Sequence, residues 1–123
     1  MTLAVWIIDD DKAIRWVLEK SLARSGIAYQ SFSSADDALN ALYDACPSVI
    51  ISDIRMPGTD GLKFLGKVKQ EHPALPVIIM TAHSDLDSAV AAFQGGAFEY
   101  LPKPFDVDQA VALIERALAE SRS

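Results

Sequence analysis

Five short runs of apolar or β-prone residues recur along the chain, and each is followed by a stretch with helical spacing. The runs are Leu3-Ala4-Val5-Trp6-Ile7-Ile8, the weaker and partly polar Ile27 to Phe32, Val49-Ile50-Ile51-Ser52 closed by Asp53, Val77-Ile78-Ile79-Met80-Thr81, and Phe98-Glu99-Tyr100-Leu101. Near-continuous apolar runs bounded by turn residues predict strands covered on both faces, and the polar character of the second run suits an edge strand. Between them, Ile14, Val17, Leu18 and Leu22 mark one helix, and Leu39, Leu42 and Tyr43 a second after the start signal Ser34-Ala35-Asp36-Asp37. Leu62, Leu65 and Val68 follow Asp60 as an N-cap. Ala89, Val90 and Phe93 follow Ser84 to Asp87 and stop at Gly95-Gly96, and Ala110, Val111, Ile114 and Leu118 complete a fifth helix. Strict βα alternation, five times over, predicts an α/β domain: a doubly wound parallel sheet with helices on both faces.

Length and composition narrow this picture. The 123 residues suit one domain with one core. Half are hydrophobic and 23% are charged, a globular composition. No run approaches the ~20 apolar residues that span a bilayer, and Met1-Thr2-Leu3-Ala4 lacks the basic start of a signal peptide. A single cysteine, Cys46, suits a reducing compartment, so a cytoplasmic location is expected. The net charge of −6 argues against nucleic acid as a direct ligand and against an anionic membrane surface. It is compatible with binding a cation. The polar end Glu120-Ser121-Arg122-Ser123 reads equally as a natural terminus or as the edge of a domain cut from a longer protein.

A parallel sheet gathers the carboxyl ends of its strands on one edge, where open α/β sheets place their ligands. That edge would bring together Asp9-Asp10-Asp11 after the first strand, Asp53 at the end of the third, Thr81 at the end of the fourth and Lys103 after the fifth. Two carboxylates 4 Å apart repel by about 4 kcal/mol at an effective dielectric of 20. Such a cluster calls for cations. Lys103 supplies one charge, and an all-oxygen acidic pocket favours Mg²⁺ for the rest. A carboxylate with Mg²⁺ and a lysine nearby is suited to phosphoryl transfer. Asp53 can act as nucleophile and form an aspartyl-phosphate, while the cations and the Thr81 hydroxyl stabilise the transferring oxygens.

These residues carry a resemblance. Asp9-Asp10, the segment Ser52-Asp53-Ile54-Arg55-Met56-Pro57-Gly58-Thr59-Asp60-Gly61, Met80-Thr81-Ala82 and Lys103-Pro104-Phe105 together resemble the receiver domain of bacterial two-component response regulators, over essentially the whole chain. Ile14 to Glu19, Thr81 to Asp87 and Gly96 to Asp106 are similar to NtrC-type nitrogen-regulatory receivers in particular. The resemblance implies a flavodoxin-like sheet of order 2-1-3-4-5. It implies Asp53 as phosphoacceptor, Asp10 as a direct Mg²⁺ ligand, Asp9 as one acting mostly through water, and the Arg55 carbonyl as another. Lys103, followed by a cis bond to Pro104, would pair with the phosphoryl group, and Thr81 and Tyr100 would form a switch pair. The implied donor is the phosphohistidine of a sensor histidine kinase. The implied chain is the N-terminal receiver, residues 1–123, of a longer regulator with ATPase and DNA-binding output domains, a sigma-54-type activator of nitrogen metabolism. It would dimerise on phosphorylation and would assist only its own phosphorylation and dephosphorylation. On phosphorylation Thr81 would move toward the phosphoryl group, Tyr100 would turn inward, and the surface from 84 to 101 would change.

Other signals are weaker. Gly61 to Lys67 spells a P-loop spacing, but Val68 stands where a Ser or Thr must hold Mg²⁺, and the segment is an amphipathic helix. His72 and His83 lack metal-ligand spacing to a partner. Cys46 is expected to pack at a helix end. Asp11 either extends the pocket or caps the first helix, the cap being favoured. Trp16 marks a contact surface or nothing. Two other functions compete: a phosphatase with an Asp nucleophile, which resembles a pattern with a second acid where Arg55 stands, and a flavin-binding flavodoxin-like module, for which no phosphate loop follows the first strand.

Overall fold

A computed structural model describes residues 4–121 apart from 57 and 83. Leu3, Pro57, His83 and the last two residues therefore lie outside the described part. The elements alternate as β1 (Ala4–Ile8), α1 (Lys12–Arg24), β2 (Ala28–Phe32), α2 (Ala35–Ala41), β3 (Val49–Asp53), α3 (Gly61–Glu71), β4 (Val77–Ala82), α4 (Leu86–Gln94), β5 (Glu99–Lys103) and α5 (Val107–Ser121). All strand pairs are parallel, and the sheet runs β2-β1-β3-β4-β5. The weak second run is an edge strand, as its polarity predicts.

Period-two alternation divides the core into two layers. Val5, Ile7, Val49, Ile51, Ile78 and Met80 face Leu18 and Leu22 of α1 and Ala110, Ile114 and Leu118 of α5. Trp6, Ile8, Ile50, Val77 and Ile79 face Ala35 and Ala38 of α2, Phe64, Leu65 and Val68 of α3, and Ala92 of α4. Helix starts follow the capping signals. The side chains of Asp11, Ser34, Asp60 and Asp85 accept from the backbone N–H of Ala13, Asp37, Lys63 and Ser88. Asp11 thus caps the first helix.

Three local expectations are corrected. Helix α2 stops at Ala41, and Tyr43, expected on its apolar face, is 83% exposed. Cys46 lies exposed in the following loop, with its Sγ 3.8 Å from Nδ1 of His72, the C-terminal cap of α3. On α4 the small residues Ala89 and Ala92 face the core, while Leu86, Val90 and Phe93 are exposed, because alanines let the helix lie close to the sheet. Strand β5 also runs further than expected, through Pro102 and Lys103, which pair with Thr81 and Ala82. An edge strand tolerates a proline because its missing N–H can face away from the ladder.

The β3–α3 connection depends on Gly61. Its N–H donates to the Ile54 carbonyl at 2.8 Å, and a Cβ there would stand 2.4 Å from the Asp53 carbonyl oxygen and 2.5 Å from Ile54 Cα. No flexible side chain can yield at that spot. Gly66, in the middle of α3, is exposed with open space where a Cβ would go. The two glycines predict opposite outcomes in urea unfolding. Gly61→Ala lowers stability by about 2–3 kcal/mol through overpacking, while Gly66→Ala raises it by about 0.5–1 kcal/mol by removing backbone freedom from a helix interior.

Candidate functional site

Register assembles the site. Ile8 pairs with Ser52, so Asp9, one residue on, lies beside Asp53. Asp53 pairs with Met80, Thr81 with Pro102 and Ala82 with Lys103, which places all these groups at the carboxyl edge of the sheet.

Asp9 is wholly buried, and each of its polar atoms has a partner. Its N–H donates to the Phe32 carbonyl at 3.2 Å, and its own carbonyl accepts from Arg15 Nη1 at 2.6 Å. Oδ1 accepts from the Asp11 N–H at 2.8 Å, and Oδ2 accepts from Lys103 Nζ at 2.8 Å. Lys103 also stands 3.2 Å from Asp53 Oδ1, bridging the two buried acids. Asp53 is 8% exposed and Asp10 is open to solvent. The bond between Lys103 and Pro104 is cis.

Carboxylate oxygens of Asp9, Asp10 and Asp53 all lie within 4.8 Å of one another. Opposite ligands of an octahedral Mg²⁺ are about 4.2 Å apart, and the ion keeps several waters. The three carboxylates, two buried and one solvent-facing, therefore fit a partly hydrated Mg²⁺ in donor type and spacing. Burial dominates the electrostatics. It lifts the Asp9 carboxyl above its ordinary range, against the opposing bond from Lys103. Burial also pulls Lys103 down, but its contacts with Asp9 and Asp53 outweigh this and leave the ammonium more basic than usual.

The remaining candidates surround this centre. Thr81 is buried, and its hydroxyl donates in long contacts to the carbonyls of Ala82 and Asp85, at 3.4 and 3.5 Å. Tyr100 is half-buried with its ring edge-on to Phe93, centroids 5.4 Å apart. The Arg55 side chain is largely exposed and pairs with Asp85 at 2.8 Å. Hydrogen bonding from Ser88, then Arg55, holds the Asp85 carboxyl below the usual carboxylate range.

Some of these contacts escape a reading of the sequence. The Arg15 grip on the Asp9 carbonyl, the Arg55–Asp85 pair and the 2.6 Å bond from Thr59 Oγ1 to Asp36 Oδ1 each join residues that no motif links. Only Arg15 leaves a trace, as a basic residue one turn into the helix that follows the acidic run.

Comparison with known proteins adds an independent line. The profile of the response regulator receiver domain matches residues 5–115. The chain is 61% identical over 115 residues to the DNA-binding transcriptional regulator NtrC of Salmonella typhimurium, covering 94% of this chain and 24% of that protein. It is 40% identical over 119 residues to the C4-dicarboxylate transport transcriptional regulatory protein DctD of Rhizobium meliloti, covering 97% of this chain and 26% of that one. The chain thus spans about a quarter of the length of these curated relatives. Among solved structures, the apo receiver domain of nitrogen regulatory protein C superposes with a TM-score of 0.88 at 58% identity, covering 98% of this chain and 97% of that one. The BeF3-activated form of that domain gives 0.84 at 57% identity, covering 100% of each chain.

Removing the bridging ammonium leaves Asp9 buried without its ionic partner. In metal-free buffer Lys103→Met is expected to lower stability at neutral pH by about 1–3 kcal/mol, allowing for the partial exposure of Lys103. Both pKa values are raised, so each contribution is full below the group's unfolded value and lost as pH rises through the folded one. The lysine pair therefore persists up to strongly alkaline pH. The gap between variant and wild type narrows as acid neutralises Asp9, because the wild type then loses the ion pair that the variant already lacks. Urea unfolding across the acid range checks this.

Proposed function

We propose, from the premise that this chain belongs to the response regulator receiver domain family, that it is a phosphorylation-controlled switch with Asp53 as the phosphoacceptor. The observation that carries this reading is the position of Asp53. It ends a central strand, 3.2 Å from Lys103, with carboxylates of Asp9 and Asp10 within 4.8 Å.

An ionised Asp53 oxygen needs no base to attack phosphorus. The O–P bond forms as the N–P bond of a kinase phosphohistidine breaks, and the released imidazole takes its proton from solvent. Lys103, already at Asp53 Oδ1, is placed to follow the negative charge onto a phosphoryl oxygen. The Thr81 hydroxyl, held by two long contacts, can exchange them for a bond to the phosphoryl group. Asp10, Asp53 and the Arg55 carbonyl would hold Mg²⁺, with Asp9 acting through water. When bound, the ion would neutralise charge on the transferring oxygens. Asp9 keeps Lys103 and the acidic turn in register. The module acts on its own acyl phosphate and on no separate substrate.

The signal would leave through the segment from 84 to 101. Movement of Thr81 releases the Asp85 carbonyl at the start of α4, and Tyr100 can turn toward the space left behind. The exposed side chains Leu86, Val90 and Phe93 give α4 an apolar outer surface for an output domain or a second copy to read. Residues 1–123 would form the N-terminal receiver of a longer cytoplasmic regulator with ATPase and DNA-binding domains, a sigma-54-type activator of nitrogen metabolism. The names of relatives about four times as long support this. Among the described residues no helix is long and apolar enough to cross a membrane.

Acetyl phosphate with Mg²⁺ should label the wild-type chain, and chelation or Asp53→Asn should abolish the label. Undiminished labelling of the variant disproves the assignment. Amide exchange across 84–101 should differ when beryllofluoride occupies the site; identical protection would sink the proposed output route.

A further inference from the structure

Asp10 is the exposed member of the acidic group, and its carboxylate has no hydrogen bond or ion pair with any described residue. The backbone therefore sets where its Cα–Cβ bond points, and only rotation of a short side chain remains. The peptide joining Asp9 to Asp10 is a rigid plane, so fixing its carbonyl oxygen fixes the line along which Asp10 leaves the strand. Among the described residues, the side chain that grips that oxygen is Arg15, through Nη1 at 2.6 Å. Arg15 is itself anchored one turn into α1, where its N–H donates to the Asp11 carbonyl at 3.1 Å. Helix α1 thereby holds the acidic turn from outside, while Lys103 holds it from within.

We infer that Arg15 is a positioning residue for the metal site, acting through the Asp9 carbonyl to aim the Asp10 carboxylate. This rests on the Mg²⁺ reading above and adds to it a residue that touches neither metal nor phosphate. The inference separates cleanly from simple electrostatics. A guanidinium near an acidic pocket repels an incoming cation, so by charge alone its removal tightens Mg²⁺ binding. If its work is orientation, its removal weakens binding, as losing an outer partner of a metal ligand does.

The test is Mg²⁺ titration of the metal-stripped protein by calorimetry and by the amide resonances of Asp10 and Asp11. Arg15→Met, which loses charge and donor together, is expected to raise the dissociation constant about tenfold and to shift those amides before any metal is added. Arg15→Gln ends short of the carbonyl and should behave the same way, which covers the case that the Met variant folds poorly. Arg15→Lys, which keeps a long donor, should recover most of the affinity. At saturating Mg²⁺ the rate of labelling by acetyl phosphate should return to the wild-type value, separating orientation of the metal ligand from a role in the chemistry. Wild-type or tighter binding in both Arg15→Met and Arg15→Gln overturns the inference and leaves the metal reading standing. A wild-type protein that binds no Mg²⁺ overturns the metal reading itself, and the inference with it.

Discussion

Three carboxylates drawn to one edge of a buried sheet, with one lysine among them, set the terms for the rest of the molecule. Asp9 is fully buried and Asp53 nearly so, and burial disfavours the charged form of Asp9. Lys103 bridges both, and each polar atom of Asp9 is bonded. This arrangement satisfies Asp9 but leaves Asp53 and the exposed Asp10 short of positive charge. A group poised in that way is a better phosphoacceptor than one fully paired, because the proposed chemistry needs an ionised oxygen with room beside it.

The fold serves this constraint directly. Parallel strands in a fixed register bring residues from positions 9, 53, 81 and 103 to one edge, with no need for them to be near in the chain. The close packing of Gly61 against the Asp53 carbonyl turns the chain sharply into α3. Beyond the edge, Asp85 ties the site to α4 in three ways. One carboxylate oxygen caps the helix, the other pairs with Arg55, and the backbone carbonyl accepts from Thr81. A change at Thr81 or Arg55 therefore reaches the helix start through one residue. The apolar outer surface of α4, costly for a surface helix, makes sense if that surface is read by a partner.

Most of the fold is legible in the sequence because two physical signals coincide. Apolar runs such as Val49 to Ile51 can only be buried on both faces, and side chains such as Asp60 and Ser34 mark helix starts by satisfying orphan N–H groups. The errors have a common cause, since local pattern does not say which neighbour a side chain meets. Val90 and Phe93 look like core residues by spacing, yet the closeness of α4 to the sheet favours its alanines. Pro102 looks like a strand breaker, yet an edge position tolerates it. Lys103 and the acids are visible as types at strand ends. The Arg15, Arg55–Asp85 and Asp36–Thr59 contacts are not, because they depend on side-chain reach across turns.

The central claim, that the carboxylates of Asp9, Asp10 and Asp53 bind Mg²⁺, is open to a direct measurement. Thermal unfolding of the metal-stripped wild-type chain is compared with and without Mg²⁺ at matched ionic strength. A ligand at a hundred times its dissociation constant adds about 2.7 kcal/mol to the folded state, and for a domain of this size that raises Tm by roughly 8–12 °C. A rise of this order, lost when Asp53 or Asp10 is neutralised, is the predicted result. A Tm that Mg²⁺ leaves unchanged would contradict the claim.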